Sequence, residues 1–206
     1  MDQLLEKLFD SIPKARVIRF FLRNSETLHS IEGVWERTGV ERASLQKELQ
    51  KLLRLGLLKE RWYFVKIQKK QGKKIKTLSR KTKGFEVNRG FRLFPELHAL
   101  VMKDAVASPK KILPKIQGLG SIKLAVISGV FINNDRARTD LLIVGDKVKQ
   151  AKLARFLRDT ESEIGKPLRY TLMDSKEFAY RMDMYDRFLR DILEFPHEKV
   201  INRLRI

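Results

Sequence analysis

The sequence predicts two domains, an N-terminal α+β domain and a C-terminal α/β domain built on a mixed sheet. Three observations predict this. Leu45, Leu49, Leu52 and Leu53 recur at i, i+4, i+7 and i+8, the stripe of a core-facing helix. Residues 62–68 alternate apolar and polar side chains, the pattern of a half-exposed strand. From Ile122 to Gly145 two apolar runs flank a short polar loop, and strand and helix patterns alternate after it. Residues 1–106 are assigned to the first domain and 115–206 to the second. The Ala, Ser and Pro content of 107–114 marks a linker between them.

The first helix is expected over Lys14 to Arg23, with Val17, Ile18, Phe20, Phe21 and Leu22 as its buried face. The second runs from His29 to Thr38, with Ile31, Val34 and Trp35 turned inward. Gly39 terminates it, because glycine tolerates the positive φ of a helix C-cap. The third helix spans Arg42 to Leu55 and leaves through Gly56-Leu57-Leu58. Its leucine stripe leaves Arg42, Ser44, Gln46, Lys47, Gln50 and Lys51 for solvent, mostly in its first half. A strand follows over 62–68, then a turn at Gln71-Gly72. Residues 73–80 and 84–88 continue the sheet or a long basic loop, and a further helix is expected at Phe91 to Lys103.

This order of helices, the Gly39 turn, the Gly56-Leu57-Leu58 exit and the basic strands resemble a winged helix-turn-helix of bacterial and archaeal transcription regulators. The resemblance implies double-stranded DNA as partner and a recognition helix whose N-terminal half reads base edges. Arg and Gln suit guanine and adenine edges, while Ser and Lys also anchor phosphates. Phosphate contacts are assigned to Lys69, Lys70, Lys73, Lys74, Lys76, Arg80, Lys81 and Lys83. A homodimer is expected, since one recognition helix reads few base pairs. Trp62, Tyr63 and Phe64 keep single-strand recognition open, with alternation burying at least one of them.

In the second domain, strands are expected at 122–131, 139–145 and 167–173. Helices are expected at 147–164 and 175–193, with one or two helical turns at 197–204. The segment IKLAVISGVFINNDRARTDLLIVG resembles the core of the nucleotidyltransferase fold, which includes polymerase-beta-like and antitoxin-type enzymes. That family places a Gly-Ser pair after its first strand and two aspartates, one residue apart, at its second. Here Gly129 is followed by Val130, Arg138 stands at the first acidic position, and only Asp140 remains. The third strand, where the family has another carboxylate, contains no acid, and Asp174 reads as the cap of the next helix. Divalent-metal transfer needs several hard oxygen ligands. The resemblance therefore implies a vestigial motif at Gly129 and Asp140, with no catalytic residue, no metal and no cofactor. Asp140 reads as a strand-edge acid whose exchange for asparagine would cost little.

Composition restricts the alternatives. The chain lacks cysteine, which removes disulfides, thiolate zinc sites and cysteine nucleophiles. Its three histidines, His29, His98 and His197, lack metal-ligand spacing. The opening MDQLLEKLFDSIPK predicts neither signal peptide nor anchor, and the protein is expected to be cytoplasmic and away from membranes. The net charge of +19 calls for an anionic partner, nucleic acid first. Thirteen Lys or Arg against two acids lie between Lys59 and Arg92, a concentration that uniform solubilising charge would not produce. The expectation is a DNA-binding transcriptional regulator, not an enzyme. Its inert second domain would serve dimerisation or respond to a small-molecule or protein effector. The rivals are an active nucleotidyltransferase and an RNA-binding or antitoxin module. Phe188, Phe195, Met182, Met184 and Tyr185 are read as core or dimer surface.

Overall fold

The computed structural model describes residues 4–71, 74–103, 109–134 and 136–206, without the side chains of 66–71, 74–78 and 109–111. The described residues form a chain of α-helices with two sheets, one antiparallel and one mixed, divided into two compact units.

The N-terminal unit spans Leu5–Val101. Its helices are α1 (Leu4–Leu8), α2 (Ile12–Arg23), α3 (Ile31–Thr38), α4 (Arg42–Leu55) and α5 (Phe94–Lys103). Ser11 caps α2 by accepting the Lys14 N–H, and Pro13 sits in the first turn, where its missing donor costs nothing. Gly39 and Gly56 end α3 and α4 in the left-handed conformation, as their positions in the sequence predict. The core gathers Leu5, Val17, Phe20, Phe21, Leu22, Val34, Leu45, Leu49 and Leu52. Glu6 and Arg19 pair at 3.1 Å inside it, an ion pair that ties α1 to α2. Trp35 departs from expectation. It is exposed, because the short α3 turns Val34 and Thr38 inward and leaves Trp35 on the outer face.

The sheet of this unit has the order β1-β3-β2, with β1 (His29–Ser30), β2 (Leu58–Gln71) and β3 (Lys74–Val87). β2 and β3 pair antiparallel from Leu58↔Val87 out to Gln71↔Lys74, so the basic segment is one long hairpin and not a loop. Gly72 and Lys73, where the turn is expected, lie outside the described residues.

The C-terminal unit contains Met102–Ile206. α6 (Pro109–Gln117) begins inside the segment expected to be a linker, and its Ile112 and Ile116 are buried in the second core. The sheet order is β6-β5-β4-β7, with β4 (Ser121–Ile127), β5 (Leu141–Asp146), β6 (Tyr170–Met173) and β7 (Glu198–Asn202). β5 and β6 are parallel and the other pairs antiparallel, so the sheet is mixed. Both faces are covered, which is why β4 and β5 read as continuous apolar runs. Ala125, Ile127, Leu141 and Ile143 pack towards α6 and α7 (Gln150–Ile164). Leu124, Val126, Leu142 and Val144 pack towards α8 (Ser175–Asp183) and α9 (Arg187–Glu194). A register shift between Ile122 and Leu124 lets Ile122 share a face with Ala125 despite their odd separation.

Two expectations need correction here. The segment 197–204 holds β7, Glu198–Asn202, rather than helical turns, because Ile201 fills a place beside β4. The helix expected over 175–193 is broken at Tyr185, whose φ is +51°, giving α8 and α9. The expected first strand also ends early. After Ile127 the chain enters a short 3₁₀ turn, Gly129–Ile132.

His29 gives the N-terminal unit a titratable element. Its ring lies 4.7 Å from Phe20, and its Nε2 is 2.7 Å from Thr27 Oγ1. Burial, followed by the Arg37 cation, holds its pKa below the ordinary 6.5, against the raising effect of a hydrogen bond with the Asn24 backbone. The unfolded chain therefore binds this proton more tightly than the folded one. The stability contribution is complete above pH 6.5 and is lost as pH falls from there towards the lowered folded value. Thermal melts across about pH 7.5 to pH 5 should show a smaller acid-induced fall for His29→Gln than for the unaltered protein. Equal falls would show that His29 does not contribute.

Candidate nucleic-acid surface and the Asp140 centre

The outward half of α4 follows from its buried stripe. Leu45, Glu48, Leu49 and Leu52 are buried, leaving Arg42, Gln46, Lys47 and Gln50 exposed. Arg42 is tethered by Glu32 at 3.4 Å and stands 6.0 Å from the Trp35 ring centroid. Ser44 is half-buried, and its hydroxyl donates to Glu41 at 3.3 Å. Lys51 is bound to Glu48 at 2.7 Å. Gln46, Lys47 and Gln50 have no such partner among the described residues, and they are the side chains most open to a ligand.

The hairpin supplies the charge. Arg80, Lys81 and Lys83 are exposed on β3. The backbones of Lys69, Lys70, Lys74 and Lys76 lie in the paired strands, while their side chains and the whole of Lys73 fall outside the described residues. Lys83 also pairs with Glu60 at 3.1 Å. Trp62 and Phe64 are 59% and 70% exposed, and Tyr63 between them is half-buried. Alternation thus leaves two rings exposed and one half-buried, where at least one was expected to be buried. A Cβ on Gly84 would meet Tyr63 Cε1 and Leu28 Cγ at 2.8 Å, so Gly84 is needed for Tyr63 to pack there.

The C-terminal motif has a different character. Asp140 is only 2% exposed. Its Oδ1 accepts from the Val130 N–H at 2.9 Å and from Arg169 Nη2 at 3.0 Å. Its Oδ2 accepts from the Arg169 N–H at 2.9 Å and from Arg169 Nε at 3.1 Å. These four donors occupy the roughly four acceptor sites of a carboxylate. Gly129, at φ +56°, comes so close that a Cβ there would collide with Asp140 Oδ1. Ser128 N–H donates to the Asp140 carbonyl at 2.9 Å, and Asp140 N–H to that of Arg169 at 2.7 Å. Asp140 joins the ends of β4, β5 and β6. It is not a strand-edge acid, and these bonds predict that its exchange for asparagine costs stability.

Arg169, which was not expected at this centre, lies in the segment 167–173, where the nucleotidyltransferase resemblance implies another carboxylate. A basic residue beside the position of a missing acid was the signal that could have found it. Arg138 pairs with Asp191 at 2.6 Å rather than standing against Asp140. It lines an open cleft of about 210 Å³ together with Arg136, Arg187, Ser128 and Phe195. Asp174 caps α8 by accepting from the Glu177 N–H at 2.7 Å, as its place in the sequence predicts. Among the described residues, no three His, Asp or Glu side chains are grouped to hold a metal. Met182 and Phe188 pack partly against the core, whereas Met184, Tyr185 and Phe195 are exposed.

The chain matches no family model, no curated protein and no solved structure. No described helix is long and apolar enough to cross a membrane.

Two substitutions test the Asp140 centre. Asp140→Ala removes the acceptor of two backbone N–H groups and should cost about 2–4 kcal/mol, since each orphaned buried group costs roughly 1–3. Arg169→Ala should cost less, about 1–2 kcal/mol, because that side chain is half-exposed and water can replace part of its bonding. Denaturant unfolding of the full chain measures both. Equal stability of Asp140→Ala and the unaltered protein would contradict this geometry.

Proposed function

We propose that the protein is a DNA-binding transcriptional regulator. In this reading α2, α3 and α4 with the β2–β3 hairpin form a winged helix-turn-helix, Gly39 makes the turn, and α4 is the recognition helix. The observation that carries it is the division of α4 into a buried leucine stripe and an exposed face bearing Arg42, Gln46, Lys47 and Gln50. That face is followed directly by the hairpin, residues 58–87, in which eleven basic residues outweigh two acids. Residues of these types suit major-groove edges, and a basic arm suits phosphates. A homodimer would supply paired half-sites.

The C-terminal unit is read as a nucleotidyltransferase-like domain without transfer activity, used for dimerisation or for response to an effector. Support comes from Asp140, whose acceptor sites are filled by Val130 and Arg169. A metal could bind there only by displacing the half-exposed Arg169 side chain from the buried carboxylate. The enzyme reading predicts metal-dependent labelling of an acceptor by nucleotide, and such labelling would overturn the inert reading.

Fluorescence anisotropy with a duplex selected from random DNA tests the recognition helix. Alanine at Arg42 or Gln46 should relax base preference at one position by ~1–3 kcal/mol, while Lys51→Ala should weaken all sequences alike. Specific binding that survives alanine at Arg42, Gln46 and Lys47 together would contradict the assignment. For the hairpin, Lys73, Lys74 and Lys76 changed to Gln should lower the slope of log affinity against log salt by up to ~0.9 for each phosphate that is no longer neutralised. An unchanged slope would place the phosphate-binding surface elsewhere.

A further inference from the structure

We infer that one face of the β2–β3 hairpin is a stacking platform for unpaired nucleic-acid bases, formed by Trp62 and Phe64. The inference deepens the nucleic-acid reading of the N-terminal unit and rests on it. Antiparallel register puts Leu58, Trp62 and Phe64 of β2 on the same face as their partners Val87, Lys83 and Lys81 of β3. At the base of the hairpin this face is buried, with Leu58 2% and Val87 6% exposed. Beyond the base it continues as two large rings left in solvent.

Among the described residues neither ring joins the hydrophobic core. Tyr63, on the opposite face, is the aromatic that packs, over Gly84 and Leu28. Trp62 instead carries Lys81 Nζ and Lys83 Nζ at 5.2 and 5.4 Å from its ring centroid. These cations orient the indole; Lys81 stands ready for a phosphate beside a stacked base, and Lys83 would exchange its pair with Glu60 at 3.1 Å for one. Trp62 and Phe64 are two residues apart along a strand, about 6.6–6.8 Å, close to twice the ~3.4 Å spacing along a nucleic-acid strand. Room for one base between two rings follows from that spacing.

Charge selects the occupant. A second copy would bring its own Lys81 and Lys83 against these, and like charges across an interface oppose association. A polyanion that also offers flat π-faces satisfies both rings and lysines, and single-stranded nucleic acid is that ligand.

The test uses the full chain with Trp35→Phe, which leaves Trp62 as the sole indole of the two the sequence contains. Its fluorescence is followed against a short oligothymidylate, a duplex of mixed sequence and long-chain polyphosphate. Oligothymidylate should quench Trp62, and polyphosphate, which lacks bases, should not. Trp62→Ala with Phe64→Ala, made in the unaltered chain, should weaken oligothymidylate binding about tenfold or more, with polyphosphate binding unchanged. Trp62→Phe with Phe64→Tyr keeps two rings and should keep the preference, separating loss of stacking from loss of the hairpin. Absence of quenching, or an alanine pair that binds oligothymidylate as tightly as before, overturns the proposal. So does a ligand-free self-association abolished by the alanine pair, which would make the face an interface between copies. Duplex binding abolished by alanine substitution in α4 but retained in the alanine pair, together with no quenching of Trp62 by oligothymidylate in the Trp35→Phe chain, would leave the regulator reading standing and this inference refuted. Quenching by oligothymidylate without specific duplex binding would do the reverse.

Discussion

The N-terminal unit depends on where its hairpin leaves the core. Leu57, Leu58, Phe85 and Val87 are buried beside the helices, whereas Trp62 and Phe64 farther along β2 are exposed. β2 and β3 nevertheless remain paired through fourteen residues each. The backbone ladder continues along the outer arm, and among the described side chains Arg61–Glu86 and Lys83–Glu60 pair across the strands. Such an arm can carry a dense positive charge without desolvating it. Among the described residues β2 is an edge strand, and charge along an edge discourages pairing with another chain.

In the C-terminal unit the corresponding anchor is electrostatic. A buried carboxylate is costly unless it is paired and hydrogen-bonded. Asp140 meets that requirement with two backbone N–H groups and the fork of Arg169. Gly129 permits the approach because any side chain at that position would occupy the place of the carboxylate. A residue that resembles a metal ligand in the sequence thus joins three strand ends. Asp146 works similarly at the other end of β5. The Ser175 N–H and hydroxyl bind it and hold its carboxyl below the usual range, which ties the start of α8 to the sheet.

Helices and their glycine caps were the most legible part of the sequence, because the leucine stripe and the left-handed Gly39 and Gly56 are local signals. The doubly covered sheet was legible in the unbroken apolar runs of β4 and β5. What local pattern could not supply was partnership at a distance. β7 reads as a helical turn until β4 is seen to offer it an edge. Tyr185 looks like a helical residue until its positive φ divides α8 from α9. Arg169 becomes meaningful only when it meets Asp140, 29 residues away. Trp35, expected inward, shows the limit of periodicity in a helix of eight residues, where few positions define the face. For the proposed DNA surface, the sequence identified the exposed residues of α4 and the basic strands. The tethering of Arg42 and Lys51 by neighbouring acids was not visible in it.

The most direct measurement is hydrogen–deuterium exchange of the full chain with and without duplex DNA at low salt. The account predicts slowed exchange concentrated in the first half of α4 and along β2 and β3, with β4, β5, β6 and the Asp140 centre unchanged. Slowed exchange confined to the turn after β4 and the arginine-lined cleft beside α9, with α4 and the hairpin unaffected, would contradict it.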